Sequence, residues 1–204
     1  MTTTYEIRPE RDQDHSSVRR VQALAFDDPE HVPDLVGALR GAPGAIEPIS
    51  LVATWRDQVV GHVMLSACRL DSPSRLVDVL SLSPLGVHPD HQRHGVGTQL
   101  IRAALEAADD RGAPLVFLEG SPTYYGTRGF QRASTCGFRS PSLRIPDPAF
   151  QVAKLSSYEI WMTGTFVYSE AFWANDCVGL RDPELFARIA AQDRAVPPKR
   201  RSQA

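Results

Sequence analysis

The sequence predicts an α/β fold, a mixed sheet flanked by helices, and three stretches carry that expectation. Residues 77–87 are rich in Val, Leu and Ser and are broken by Pro89-Asp90. From Gly95 onward Val96, Leu100, Ile101, Ala104, Leu105 and Ala108 recur at three- and four-residue spacing, so a strand ends, a loop follows and an amphipathic helix opens. After the stop signal Arg111-Gly112-Ala113-Pro114, Leu115-Val116-Phe117-Leu118 is a continuous apolar run. Such a run suits a parallel central strand covered on both faces. Together these form a βαβ crossover, expected to be right-handed. Upstream, residues 50–55 and 59–70 read as strands joined by a turn short enough for an antiparallel hairpin, and Ser72-Pro73-Ser74 leads into the 77–87 strand as the third of a meander.

The remaining elements follow in order. Tyr5-Glu6-Ile7-Arg8 alternates and stops at Pro9, a short first strand. Residues 12–26 place Val18, Val21, Gln22, Leu24 and Ala25 on one helical face, with Asp12 or Asp14 as N-cap. Leu35, Val36, Ala38 and Leu39 suggest a second short helix, stopped by Gly41 and Pro43. Residues 134–148 read as a loop, 150–155 and 158–168 as two further strands, and 183–193 as a terminal amphipathic helix bearing Leu185, Phe186 and Ile189. His62 falls inside a strand and reads as an imidazole hydrogen-bonded on a sheet face.

With 204 residues the chain is long enough for one domain with a sizeable core and too short for two ordinary ones. A net charge of -2 gives no electrostatic footprint for nucleic acid or an anionic membrane. The basic cluster Lys199-Arg200-Arg201 lies in a terminal tail. Cys68, Cys136 and Cys177 offer neither a zinc pair nor a disulfide framework, and Cys68 reads as a small core residue. No metal is expected. The N-terminus lacks an apolar signal segment and no run approaches the ~18 apolar residues of a membrane span. A reducing cytoplasm is the expected compartment.

The strand-loop-helix junction has a chemical use. The first N–H groups of a helix have no internal partner, and the macrodipole adds positive potential there. Gly95 and Gly97 carry no Cβ, so an anion can approach the backbone closely, and Gln92, Arg93 and His94 add donors or charge. Such a turn can receive a phosphate or pyrophosphate. It is neither a P-loop, lacking Gly-Lys-Ser/Thr, nor a dinucleotide fingerprint, lacking the third glycine. The plain alternative is a tight strand-to-helix connection.

The pattern Gln92-Arg93-His94-Gly95-Val96-Gly97 after Val87-His88-Pro89 resembles the acyl-CoA pyrophosphate loop of the GCN5-related N-acetyltransferases, the GNAT superfamily. Gly120-Ser121-Pro122-Thr123-Tyr124-Tyr125-Gly126-Thr127-Arg128-Gly129-Phe130 is similar to that family's second block, in its YhbS-like branch. Gly164 and Val167-Tyr168-Ser169-Glu170-Ala171-Phe172 resemble the C-terminal strand of the branch. The resemblance implies a mostly antiparallel sheet whose parallel strand pair splays apart around the acetyl-CoA loop, with the domain in residues 1–173. Residues 174–204 are then an extension with a short helix and a basic tail.

The same resemblance assigns residues to acetyl-CoA: Leu85, Gly86 and Val87 through their backbone, and Gln92, Arg93, His94, Gly95, Val96, Gly97 and Thr98 around the pyrophosphate. Tyr125, five residues before Phe130, takes the place of the family's general acid beside the cofactor, while Tyr124 packs or lines the acceptor cleft. The base is open. Residues 80–84 hold no carboxylate, the family's frequent Asn is replaced by Gly120-Ser121, and the candidates are Glu119, early Asp78 or a water relay. A carboxylate ending an apolar strand, as Glu119 does, can have a raised pKa. The implied function is acetyl transfer to the amine of a small molecule. The alternatives are acetylation of protein lysines or N-termini, or a non-catalytic acyl-CoA-binding module. A homodimer is a family habit.

Overall fold

The computed structural model describes residues 4–191, and its centre is one nine-stranded mixed sheet. Strand β1 (Glu6–Pro9) leads to helices α1 (His15–Phe26) and α2 (His31–Arg40), then to β2 (Ile49–Trp55), β3 (Gln58–Asp71) and β4 (Leu76–Val87). Helix α3 (Val96–Asp110) crosses to β5 (Leu115–Glu119), followed by the single turn α4 (Pro122–Tyr125). Short strands β6 (Gln131–Arg132) and β7 (Phe138–Arg139) precede β8 (Phe150–Lys154) and β9 (Gly164–Val167). Helices α5 (Glu170–Ala174) and α6 (Pro183–Ala190) close the described chain. The main path is β1-β2-β3-β4-β5-β8-β6, with β9 on the far end of β3 and β7 on β9.

The β2–β3 hairpin turns through Arg56 and Asp57, both at positive φ, a geometry that matches the twist of the flanking strands. The β3–β4 ladder is interrupted opposite Val63 and Leu65: Val63 faces Leu85 but Leu65 faces Leu82, so Ser83 and Pro84 form a bulge. A bulge bends its strand, and proline has no N–H to give a neighbour. Beyond that point β4 keeps its pairing to β3 as far as Val87, yet it meets β5 only at Leu80–Val116 and Ser81–Phe117. Meanwhile β5 stays paired with β8 up to Glu119. The expected splay between the two parallel strands is therefore present, and the bulge is its local cause.

Alternation along β5 explains its continuous apolar run. Val116 and Leu118 join a core layer with Val96, Leu100, Ile101, Ala104 and Ala108 of α3, whereas Leu115 and Phe117 face the opposite layer beneath α1 and α2. That second layer holds an aromatic cluster in which Phe117 packs edge-on to Phe138 and stacks on Phe150 and Phe166. Cys68 is buried there, as its strand position suggested.

His62 is fully buried within β3. The Gln22 amide of α1 donates to its Nδ1 at 2.6 Å and its Nε2 meets Ser50 Oγ at 2.9 Å. Ser50 in turn donates to Glu10, which Arg40 holds at 2.6 Å. Burial drives the His62 pKa down to about 4, so this network stitches α1, α2 and the sheet with a neutral imidazole.

Two expectations change. Residues 158–163 do not continue a strand: Tyr158 and Met162 make turn hydrogen bonds to Leu155 and Glu159, and only Gly164–Val167 enters the sheet. Asp14 stands at the N-cap of α1 but does not cap it, because its carboxylate takes hydrogen bonds from Arg8 and from the Arg11 N–H. Within the segment that follows residue 173, Val178 is fully buried in the aromatic layer. The basic tail lies outside the described residues. Among the described residues no helix is long and apolar enough to cross a membrane, and no cluster of potential metal ligands is found.

Candidate active site

The junction of β4 with α3 builds one wall of a cavity of about 240 Å³. Pro89 starts a tight turn after β4, Arg93 adopts φ +64° and Gly95 takes φ +82° at the N-cap of α3. Nothing lies within 4 Å of where a Cβ on Gly95 would stand, so the backbone there is open to a ligand. The first hydrogen bond of α3 runs from Gln99 N–H to the Gly95 carbonyl, leaving the N–H groups of the first turn free to bind an anion. The fifteen residues of α3 align their peptide dipoles toward this point. A pyrophosphate fits this donor set.

The turn is itself anchored. His91 packs between Tyr5 and Trp55, and its Nδ1 lies 3.3 Å from the Tyr5 hydroxyl. Gln92 spends its amide on the Val87 carbonyl at 3.1 Å, tying the loop to the end of β4. A larger groove of about 880 Å³ opens on the other side of His91, between the start of α1 and the β2–β3 turn. Its wall mixes Asp14, Arg20, Asp57 and Asp90, with Asp14 already engaged by Arg8. That mixture does not select one charge.

The sequence-derived cofactor residues divide clearly. Leu85, Val87, Gln92, Arg93, Gly95, Val96, Gly97, Thr98 and Tyr125 all line the 240 Å³ cavity. Gly86 is not part of that wall, and a Cβ there would overlap the Gln22 amide and press on Ala25, so its glycine is required by the packing of α1. His94 is exposed and is not part of the wall.

Tyr124 and Tyr125 are adjacent yet both reach the cavity, their rings meeting edge to face at 4.9 Å. The Tyr124 hydroxyl lies over Gly97, in the space a Cβ would fill. It therefore packs on the glycine-loop side of the cavity. Tyr125 lies across Gly120, where a Cβ would overlap its ring, and packs edge-on to Phe130. Burial pushes its phenol well above the ordinary tyrosine pKa, so it is a neutral proton donor at physiological pH.

Arg128 was not evident from the sequence. Its guanidinium lies 3.8 Å from the Tyr124 ring centre and donates to the Tyr124 carbonyl and, through Nε, to Thr98 Oγ1 at 2.9 Å. It joins the start of α3 to α4 and adds a positive charge to the cavity wall.

Glu119 ends β5 on the face opposite Tyr125. The Tyr168 hydroxyl donates to its Oε1 at 2.8 Å and the Gly179 N–H to its Oε2 at 3.1 Å. Burial raises its pKa to about 7, against the opposing pull of these donors and of Arg144. It is not part of the 240 Å³ cavity wall. Asp78 lies early in β4 and is paired with Arg69, away from the splay. Nothing in the sequence marked Tyr168 or Gly179 as partners of Glu119, because they are 49 and 60 residues distant.

Comparison with known proteins agrees with this architecture. The family model described as an acetyltransferase (GNAT) domain matches residues 6–133. YjhQ of Escherichia coli K12, described as an uncharacterised N-acetyltransferase, is 34% identical over 159 residues, spanning 74% of this chain and 84% of its own. Among solved structures, YhbS of Escherichia coli in complex with CoA superposes with a TM-score of 0.74 at 26% identity, covering 84% of this chain and 93% of YhbS. A GNAT acetyltransferase of Brucella melitensis in complex with acetyl-CoA gives 0.66 at 28% identity, covering 83% and 99%. The splayed strands, the glycine loop at the head of α3 and these matches lead to one assignment: the chain belongs to the GNAT N-acetyltransferases, close to YhbS.

Proposed function

We propose that this protein transfers the acetyl group of acetyl-CoA to the primary amine of a small molecule. The observation that carries the reading is the gap between β4 and β5, which opens at the Ser83-Pro84 bulge and has the glycine loop of α3 at one end. Tyr125 and Glu119 lie on opposite faces of the β5 terminus beside it. The CoA and acetyl-CoA held by the YhbS and Brucella melitensis relatives support the choice of cofactor.

Acetyl-CoA supplies an activated acyl group on a thioester. The chain's own residues do the rest. N–H groups at Val96, Gly97 and Thr98, with Arg93 and Arg128, hold the pyrophosphate. The β4 edge beyond Ser81, unpaired toward β5, offers backbone groups to the pantetheine amides and preorganised donors to the thioester carbonyl. In the net reaction the amine nitrogen exchanges an N–H for an N–C bond, and the sulfur exchanges its bond to the acyl carbon for S–H. Tyr125 gives sulfur its proton and regains one that the nitrogen loses.

The α1/α2 face is bridged by the C-terminal segment: the Cys177 thiol lies 4.0 Å from the His31 carbonyl at the start of α2. This narrowing favours a small acceptor over a protein chain. Thiol release from acetyl-CoA, measured across a panel of small primary amines and a peptide array, tests the reading. Turnover confined to small amines is expected. Turnover confined to peptides would replace it with a protein acetyltransferase, and CoA binding without turnover on either would leave a binding module.

A further inference from the structure

We propose that Tyr168 positions Glu119 as the acceptor of the amine's proton, so that residues 164–181, beyond the family match, form part of the catalytic site. The inference rests on the acetyltransferase reading above and supplies the base that β4 lacks.

The geometry is specific. Glu119 is the last residue of β5 and faces the α1/α2 layer where β4 has diverged. Its carboxylate is only partly exposed, and three hydrogen bonds fix it: one from Tyr168 at 2.8 Å and a forked pair from the Gly179 N–H at 3.1 and 3.3 Å. Tyr168 is itself locked, packing edge-on to Phe166 at 4.7 Å and against Phe172 at 4.4 Å, with the fully buried Ser81 of β4 beside its hydroxyl. Gly179 adopts φ +65°, and a Cβ there would overlap Arg144, so only glycine fits where this N–H meets Glu119. Two residues remote in sequence thus converge on the one carboxylate that ends β5.

The groups around Glu119 leave it able to change charge. Cys177 and Cys68 are pushed up to about 11 and about 12 by burial, and Tyr168 is raised further, so all three stay neutral. Arg144 provides the positive charge that favours the carboxylate, and it also faces Asp176 at 3.7 Å. A buried carboxylate held by two donors takes a proton from an ammonium near neutral pH, releasing the nitrogen lone pair for attack. The proton moves from nitrogen to a carboxylate oxygen of Glu119 and later leaves to solvent.

The test titrates Glu119 directly. Protein labelled with ¹³C in the glutamate carboxyl is followed by NMR across pH 5–9, with Glu119→Gln identifying the signal. In Tyr168→Phe, which keeps the ring and removes the donor, the midpoint is expected to move up by roughly one pH unit. The acid limb of kcat/KM for the best amine of the panel should move with it, giving roughly a tenfold loss near pH 6. Acetyl-CoA affinity should stay unchanged. Glu119→Gln should lower kcat by ~10²-fold or more with acetyl-CoA affinity retained. An unmoved titration and pH profile in folded Tyr168→Phe, or undiminished kcat in Glu119→Gln, would overturn the proposal. If Tyr168→Phe does not fold, Glu119→Asp, labelled in the aspartate carboxyl and drawn away from Tyr168, should shift both curves in the same direction. If wild type turns over no amine, the acetyltransferase reading and the base role fall together. An unmoved titration beside intact turnover would sink this inference alone.

Discussion

Tyr125 carries the most exposed claim at the scale of single residues, because its neighbour Tyr124 shares the same cavity. Their placements separate their roles. Tyr124 lies over Gly97 under the Arg128 guanidinium, on the phosphate side, whereas Tyr125 lies across Gly120 at the end of β5. Replacing Tyr125 with Phe removes only the hydroxyl, so kcat for amine acetylation should fall by ~10²–10⁴-fold while acetyl-CoA affinity changes little. A Tyr124→Phe enzyme should instead keep kcat and bind acetyl-CoA more weakly. The reverse pattern in steady-state kinetics would exchange the two assignments. The spacing to Phe130 singled out Tyr125 in the sequence, but a one-residue difference on a single helical turn could not say where Tyr124 would reach. Glu119 was legible as a carboxylate ending an apolar strand. Its partners were not, since no local pattern links residues 119, 168 and 179.

The decisive contact between elements is α3 against β3. A Cβ on Gly61 would lie 3.0 Å from both Val96 and Leu100, so the helix sits as close to the sheet as glycine allows. That contact fixes the N-terminus of α3, and with it the N–H groups that face the cavity. Gly61→Val is therefore expected to destabilise the fold by about 1–3 kcal/mol through overpacking and to weaken acetyl-CoA binding. Denaturant unfolding and calorimetry would check both effects, and unchanged binding would show that α3 tolerates the shift. The α3 helix, the hairpin and the crossover were readable because periodicity and turn residues agree. Residues 158–163 misled because alternation alone does not supply a ladder partner. Local turns satisfied their backbone instead, leaving Ile160 88% exposed. The β4–β5 splay was expected from resemblance, and its physical cause, the bulge at Ser83-Pro84, emerged only from the register.

Two buried groups pull the pH response of the molecule in opposite directions. His62 has a folded pKa depressed to about 4, so its contribution is present above the unfolded value near 6.5 and is lost as pH falls toward 4. Glu119 has a folded pKa raised to about 7, so its contribution is present below the unfolded value near 4.5 and is lost as pH rises through 7. Each amounts to about 3 kcal/mol at most, and between pH 4.5 and 6.5 they offset one another. Glu119→Gln should uncover a stability that rises across this window, and His62→Gln one that falls. Parallel slopes in the two variants would contradict the assignment.

The central claim is that the head of α3 is an acetyl-CoA cradle, and the most direct test is thermal unfolding with and without acetyl-CoA for wild type and Gly97→Glu. The new side chain would meet the Tyr124 hydroxyl and bring negative charge to the helix N-terminus, while Tyr124 can swing aside and leave the fold intact. At a ligand concentration about 100 times the dissociation constant, wild type should gain ~2.7 kcal/mol. Gly97→Glu should melt like unliganded wild type and gain nothing. Equal stabilisation of both proteins would place the cofactor elsewhere, and no stabilisation of wild type would mean that the glycine loop is only a turn between β4 and α3.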